Sequence, residues 1–134
     1  MRVYDLLRFL EFVRTLPGVD AEKVGLAARG EMGAVALYGA LLDGNCAAVV
    51  LKDPPATQNL SSNKNGRGES IEMLNCLQIT DMNQLPALIH PTKTVFVGTV
   101  PEAYQWSLNT LENIGQTELI QEVESLEQFR ADAL

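Results

Sequence analysis

Three short apolar runs, separated by helical patterns, place the tightest limit on what this chain can fold into. They read KVGLAA at 23–28, CAAVVL at 46–51 and TVFVG at 94–98. Such runs lack polar alternation, which indicates strands covered on both faces, as in parallel sheets. A fourth run, TELIQEV at 117–123, alternates as an edge strand does.

Helical patterns fill the intervals between these runs. Apolar spacing and stop signals predict helices over 3–15, 31–42, 70–76 and 83–89, a helix from a Thr99–Glu102 capping box to about Ile114, and a last helix after Ser125. Strands that alternate with helices predict an α/β fold. We expect a three-layer α/β/α sandwich around a short, mostly parallel sheet of about four strands.

The length of 134 residues predicts a single domain over 1–134. Within it, the segment 53–69 reads DPPATQNLSSNKNGRGE and has almost nothing to bury. A segment this long and polar is expected to be a flexible loop.

The charge balance excludes two classes of partner. A formal net charge of −7 gives no basic footprint for nucleic acid, and an anionic membrane surface would repel the chain. No apolar run reaches the ~18 residues of a spanning helix, and the charged N-terminus is unlike a signal peptide. We therefore expect a cytoplasmic protein without nucleic-acid or membrane partners.

Metal and cofactor motifs are not found in the sequence. His90 is the single histidine, which effectively excludes a histidine-based zinc site. Cys46 and Cys76 form no CxxC pattern and are expected to be reduced, buried thiols. Neither GxGxxG nor GxxxxGK occurs, so no cofactor is predicted.

The stretch GLAARGEMG has the outline of a nucleophile elbow, in which a strand turns sharply into a helix. That geometry needs Ser, Cys or Asp at the tip, but the tip reads Arg29-Gly30-Glu31. We expect Glu31 in the first helical turn, where a carboxylate complements the helix dipole. Phosphate binding at this helix N-terminus, assisted by Arg29, is a weaker alternative.

Around this elbow the chain resembles the C-terminal half of an α/β-hydrolase, closest to the acetyl xylan esterase and dienelactone-hydrolase-like branches. The resemblance rests on RVYDLLRFLEFVRTLPGVDAEKVGL, CAAVVLKDPP and TVFVGTVPEAYQW. It places Gly30 where the family's G-x-S-x-G motif has serine. The acid would belong in the loop at Thr99-Val100-Pro101 and the histidine near Glu124-Ser125, and neither residue type is there.

The resemblance therefore implies a catalytically inactive hydrolase-like domain, either a structural or protein-interaction module or a fragment of a larger esterase-like protein. One alternative is a carboxylic ester hydrolase whose site is unconventional or completed by a partner. Another is a small-molecule or anion binder at the carboxyl ends of the strands. Its candidate ligand-binding residues are Arg29, Gly30, Glu31 and Asp53.

The resemblance also implies that the family's first four strands are missing. The strand at 23–28 would then be an exposed apolar edge, which is prone to pair with another chain. We expect self-association through this edge or through the adjacent helices.

Overall fold

The computed structural model of the protein describes residues 2–59 and 75–126. The strands are β1 (Leu26–Arg29), β2 (Ala48–Lys52), β3 (Lys93–Val97) and β4 (Ile120–Val123). The α-helices are α1 (Arg2–Arg14), α2 (Met32–Asp43), α3 (Leu85–Leu88) and α4 (Gln105–Asn113). Short 3-10 turns lie at Ala21–Lys23, Cys76–Gln78, Met82–Gln84, Glu102–Tyr104 and Thr117–Leu119.

The four strands form one parallel sheet whose spatial order, β1-β2-β3-β4, follows the chain order. The register places Leu26 beside Val49, Leu51 beside Phe96, and Phe96 beside Glu122. The predicted fold class is confirmed: the chain has a short parallel sheet with helices, as in a small three-layer α/β fold.

The main core lies between one side of the sheet and the helices α1 and α2. Val49, Leu51 and Phe96 of the sheet join Leu10 of α1 and Leu37 of α2 in this cluster. Helix α2 is buried without interruption from 33 to 40, since it packs on both the sheet and α1.

At Gly39 of α2 the two helices approach closely. A Cβ built there would lie 2.5 Å from Cδ2 of Leu6, so a larger residue would displace the end of the Leu6 side chain. The position of α1 relative to the sheet is thus set by side-chain packing.

Three strands begin later than the sequence predicts: β2 begins at Ala48 instead of Cys46, and β1 and β4 begin after 3-10 turns. Residues 21–23 form a 3-10 turn instead of entering the strand, because the Asp20 carboxylate accepts a hydrogen bond from the Glu22 amide and holds the turn. Residues 117–119 form a similar turn, so β4 begins at Ile120. Local hydrogen bonds override strand propensity at both places.

The predicted capping box at Thr99 and Glu102 is wrong. The Val100 amide donates to the Glu122 carboxylate at 2.7 Å, which ties this segment to β4. Pro101 then precedes a 3-10 turn, and α4 begins only at Gln105. The end of α4 is as predicted, before Gly115 with its positive φ of 71°.

A capping box does occur at Asp81 and Gln84, which the sequence-based expectations do not include. It opens a 3-10 turn over 82–84, which shortens the helix predicted at 83–89 to Leu85–Leu88. Most of the predicted helix at 70–76, the loop from 60 to 69 and the helix after Ser125 lie outside the described residues.

Candidate functional site

The predicted strand–turn–helix corner is present, and Gly30 is its tip. Gly30 has φ of +57°, a left-handed conformation that L-residues with a side chain rarely adopt. Its amide donates to the Lys52 carbonyl at 2.9 Å, and its carbonyl accepts from the Gly33 amide at 2.9 Å. Glycine therefore lets the chain leave β1 and enter α2 within one residue.

Open space surrounds the tip. A Cβ at Gly30 would meet no atom within 4 Å, so the position has room for a side chain that the sequence does not supply. Glu31 occupies the N-cap position of α2 and forms no side-chain cap. The prediction that Glu31 lies in the first helical turn is off by one residue, because the turn at Gly30 takes one residue more before α2 begins at Met32.

The structure brings Arg29 and Asp53 together beside this tip. Nε of Arg29 lies 3.4 Å from Oδ2 of Asp53, and their side chains are 77% and 63% exposed. Asp53 has a positive φ of 50°, which bends the chain at the end of β2. An ion pair this exposed contributes at most about 1 kcal/mol. All of the sequence-predicted site residues thus lie at the carboxyl ends of β1 and β2.

The positions that resemble those of the acid and the histidine hold neither. Gly98 and Thr99 follow β3, and Glu124 and Ser125 follow β4. His90 is exposed and precedes the amino end of β3. In a parallel sheet that end lies opposite the carboxyl end of β1, so His90 is remote from Gly30.

Both cysteines are free thiols in different surroundings. Cys46 is buried as predicted, and burial raises the pKa of its thiol to about 12. Cys76 is only partly buried, which corrects the prediction, because its turn lies at the surface beside Gln58. Within residues 2–59 and 75–126, no three His, Cys, Asp or Glu side chains are grouped as metal ligands.

An apolar groove lies beside β1, on the side of the sheet that carries α1. It has a volume of about 720 Å³. Its apolar lining comes from Leu6 and Phe9 of α1, Leu26 and Ala28 of β1, and Val35 of α2. The sequence predicted the exposed strand but not this groove, which is lined jointly by α1, β1 and α2.

A smaller cavity of about 370 Å³ lies at the carboxyl ends of β1 and β2. Arg29 and Lys52 line it together with Ala27, Val50 and Leu126. Arg29 and Lys52 are register partners, so two cationic residues lie side by side in its lining. Like charges directly opposite one another are unfavourable, and the ion pair of Arg29 with Asp53 offsets part of that cost.

A buried polar cluster that the sequence did not predict holds the described start of the long loop. The Asp81 carboxylate accepts from the amides of Gln58, at 2.8 Å, and Met82, at 2.7 Å, and from the Thr57 hydroxyl. The Tyr38 hydroxyl donates to Oε1 of Gln58 at 2.5 Å. This cluster fixes residues 57 and 58 against α2 and leaves the elbow exposed.

Comparison with protein-family models, curated proteins and solved structures finds no match for this chain. Within the described residues, no helix combines the length and apolar character needed to cross a membrane. The function is therefore inferred from the geometry at the elbow and along β1.

Proposed function

We propose that this chain is a hydrolase-like domain without a catalytic triad and that it serves as a protein-interaction module. Its binding surface is the outer edge of β1, which no other described strand pairs with, together with the apolar groove beside it. The observation that carries this proposal is the position of β1 at the end of the sheet, with Ala27 and Arg29 exposed.

The residues at the elbow argue against hydrolytic activity. Acyl transfer needs a nucleophile, a base within hydrogen-bond reach and donors for the developing oxyanion. The tip residue Gly30 offers no nucleophile, and the single histidine lies at the other end of the sheet. Arg29 and Asp53 neutralise one another in solvent and hold no group in a reactive position.

The free edge supports the binding role. An unpaired strand presents backbone donors and acceptors that an incoming strand satisfies, and adjacent pockets select its alternate side chains. Here the groove supplies such a pocket through Leu26, Ala28 and Phe9. In the family that the chain resembles, further strands lie beyond the elbow strand, which fits a surface that is completed by another chain.

Two assays test the catalytic part of the proposal. We expect no turnover of activated acetyl esters above the buffer rate and no labelling by a serine-directed fluorophosphonate. An active serine esterase at the same concentration provides the positive control. Stoichiometric labelling together with turnover would contradict the proposal and favour the ester hydrolase with an unconventional site.

The smaller cavity supports a second candidate, an anion binder at the carboxyl ends of the strands. Arg29 and Lys52 would hold a carboxylate or phosphate, and Val50 and Leu126 would contact an apolar body. Short-chain carboxylates and inorganic phosphate should then raise the melting temperature, and Lys52→Ala should abolish that rise. Lys93→Ala, at the amino end of β3, is the control. Equal shifts in both variants would exclude this cavity.

A further inference from the structure

We infer that the cavity at the carboxyl ends of β1 and β2 takes a phosphate monoester, which binds by displacing the Asp53 carboxylate from Arg29. The inference rests on the anion-binding candidate above, and it names the ligand of that cavity and the residue that restrains binding. Asp53 then acts as the ligand's competitor for Arg29 and not as part of the binding surface.

Two register pairs give the cavity a cationic end and an apolar end. Arg29 lies beside Lys52, and two residues earlier along each strand Ala27 lies beside Val50. Side chains two residues apart on a strand leave the sheet on the same face, so all four line one cavity. Its volume of about 370 Å³ lies within the range of about 300–1,000 Å³ for small-molecule sites. A ligand that matches this lining has an anionic group at one end and an apolar body.

The charges at the cationic end are not balanced. Arg29 pairs with Asp53, but Lys52 forms no ion pair with any side chain in the described part of the chain. Glu31, the other carboxylate at the elbow, is not among the described residues that line the cavity. Neighbouring strands lie about 4.8 Å apart, so Arg29 and Lys52 can both reach one phosphate group.

The surplus positive charge favours a dianion over a monoanion. A phosphate monoester carries about two negative charges at neutral pH, one for each cation. A monocarboxylate carries one charge and only replaces the charge that Asp53 already supplies to Arg29. Because Asp53 is tethered beside Arg29, its effective concentration is on the order of millimolar. A free monocarboxylate therefore displaces Asp53 poorly, whereas a phosphate gains Lys52 as well.

The backbone at Asp53 does not explain why this residue is charged. Its φ of 50° is a left-handed conformation, which Asn and Asp adopt more readily than other residues with a side chain. Asparagine would fit this bend too, so the carboxylate is accounted for by its pairing with Arg29. Both side chains are exposed, so breaking the pair weakens ligand binding by at most about fivefold.

Calorimetric titration with phenyl phosphate tests the role of Asp53. Asp53→Asn keeps the bend and removes the competing charge, so it should tighten binding about three- to fivefold. Glu112→Gln makes the same change of charge at an exposed position of α4. This matched control should change the affinity by less than about twofold, because salt screens distant charges. Unchanged or weaker binding by Asp53→Asn would overturn the inference.

The same titration tests the second cation. Lys52→Ala removes one of the two charges that hold the phosphate and should weaken binding about tenfold or more. Lys23→Ala removes an exposed lysine before the amino end of β1 and should leave the affinity unchanged. Equal affinities of these two variants would show that the phosphate binds elsewhere and would overturn the inference.

Two simpler anions test the class of ligand. Benzoate has the same ring with one charge, and it should bind wild type at least about tenfold more weakly than phenyl phosphate. Inorganic phosphate lacks the ring that would contact Val50 and Leu126, and it should bind about three- to tenfold more weakly. If either anion binds as tightly as phenyl phosphate, the assignment of a phosphate monoester is overturned.

Nuclear magnetic resonance of the Asp53 carboxyl carbon tests the displacement itself. Saturating phenyl phosphate should move this resonance in wild type toward its position in Arg29→Gln, where no guanidinium lies beside Asp53. A purely structural Asp53 would keep its contact with Arg29 while the phosphate binds. An unchanged resonance in the presence of bound phosphate would therefore overturn the displacement.

The outcomes separate this inference from the proposals above. If benzoate and phenyl phosphate bind equally well and Lys52→Ala weakens both, the anion-binding candidate stands and this inference fails. If neither ligand binds wild type or Asp53→Asn, the anion-binding candidate and this inference both fail. In either case the hydrolysis assays still decide whether the elbow is catalytically silent.

Discussion

Arg14 at the end of α1 and Asp43 at the end of α2 form a two-point ion pair. Nη1 of Arg14 lies 2.6 Å from Oδ1 of Asp43, and Nη2 lies 2.7 Å from Oδ2. Nη2 also donates to the Asn45 carbonyl at 2.8 Å. The pair is largely buried, with side chains 16% and 8% exposed, and it locks the two helices at the end opposite the elbow.

Removing the charge of Asp43 should destabilise the fold. Asp43→Asn leaves the Arg14 guanidinium partly buried without its counter-charge, which should lower the free energy of unfolding by about 1–3 kcal/mol. Urea unfolding at neutral pH measures this. The control is Glu11→Gln, which breaks the exposed Arg8–Glu11 pair and should change the same free energy by less than about 0.5 kcal/mol. Equal effects of the two substitutions would contradict the structure.

The same pair predicts a pH dependence. Hydrogen bonding from Arg14 lowers the pKa of Asp43 below its ordinary value. A depressed folded pKa stabilises the native state fully above the unfolded pKa, near 4, and that stability is lost as the pH falls toward the folded pKa. The stability difference between wild type and Asp43→Asn should therefore shrink below about pH 4. Chemical unfolding at neutral pH and near pH 3 compares them, and a constant difference would refute the assignment.

Restoring serine at the tip should not restore hydrolysis. Gly30→Ser places a hydroxyl in open space but forces a side chain into a positive φ, at a cost of roughly 1–2 kcal/mol. Without a histidine at the elbow, that hydroxyl has no base to activate it. Gly44→Ser, also at a positive φ in open space, controls for the strain. Ester turnover by Gly30→Ser above that of Gly44→Ser would show a base that the structure does not place there.

Asp81 should control the order of the segment before residue 60. Asp81→Ala removes the acceptor for the Gln58 and Met82 amides and should cost about 2 kcal/mol. Hydrogen exchange should show loss of protection at the Gln58 amide. Asp20→Ala, which removes a more exposed cap of the Ala21–Lys23 turn, should leave that amide protected. Unchanged protection in Asp81→Ala would contradict the contact.

Two threonines at the start of β3 should respond in opposite directions to the same substitution. Thr94 is fully buried and its Oγ1 has no hydrogen-bond partner among the described residues, so Thr94→Val should stabilise the fold by about 1 kcal/mol. The Thr92 hydroxyl donates to the Cys46 carbonyl at 2.8 Å, so Thr92→Val should destabilise it by about 1 kcal/mol. Thermal unfolding compares the pair. Destabilisation by both would mean that Thr94 has a partner.

The parallel sheet could be predicted because its strands are continuous apolar runs that suit burial on both faces. The residues at which the strands begin could not be predicted, since they depend on single side chains such as Asp20. The expected capping box at Thr99 failed because Val100 bonds to Glu122, a residue remote in sequence. The capping box at Asp81 and Gln84 has the same local spacing, so the sequence alone is sufficient to predict it.

The candidate site also has one part that the sequence predicts and one part that it does not. The convergence of Arg29, Gly30 and Asp53 follows from parallel strands, whose carboxyl ends share one edge. The groove between α1 and β1 depends instead on where α1 packs. The contact of Leu6 with Gly39 is part of that packing, and no local pattern specifies it.

The identity of chain order and sheet order has a consequence during synthesis. Each strand pairs with its sequence neighbour, so the sheet can grow in one direction as the chain leaves the ribosome, first β2 on β1, then β3, then β4. Of these four strands β1 is made first, and no other strand in the described part of the chain pairs with its outer side. We therefore expect that side to stay accessible while the later strands are added.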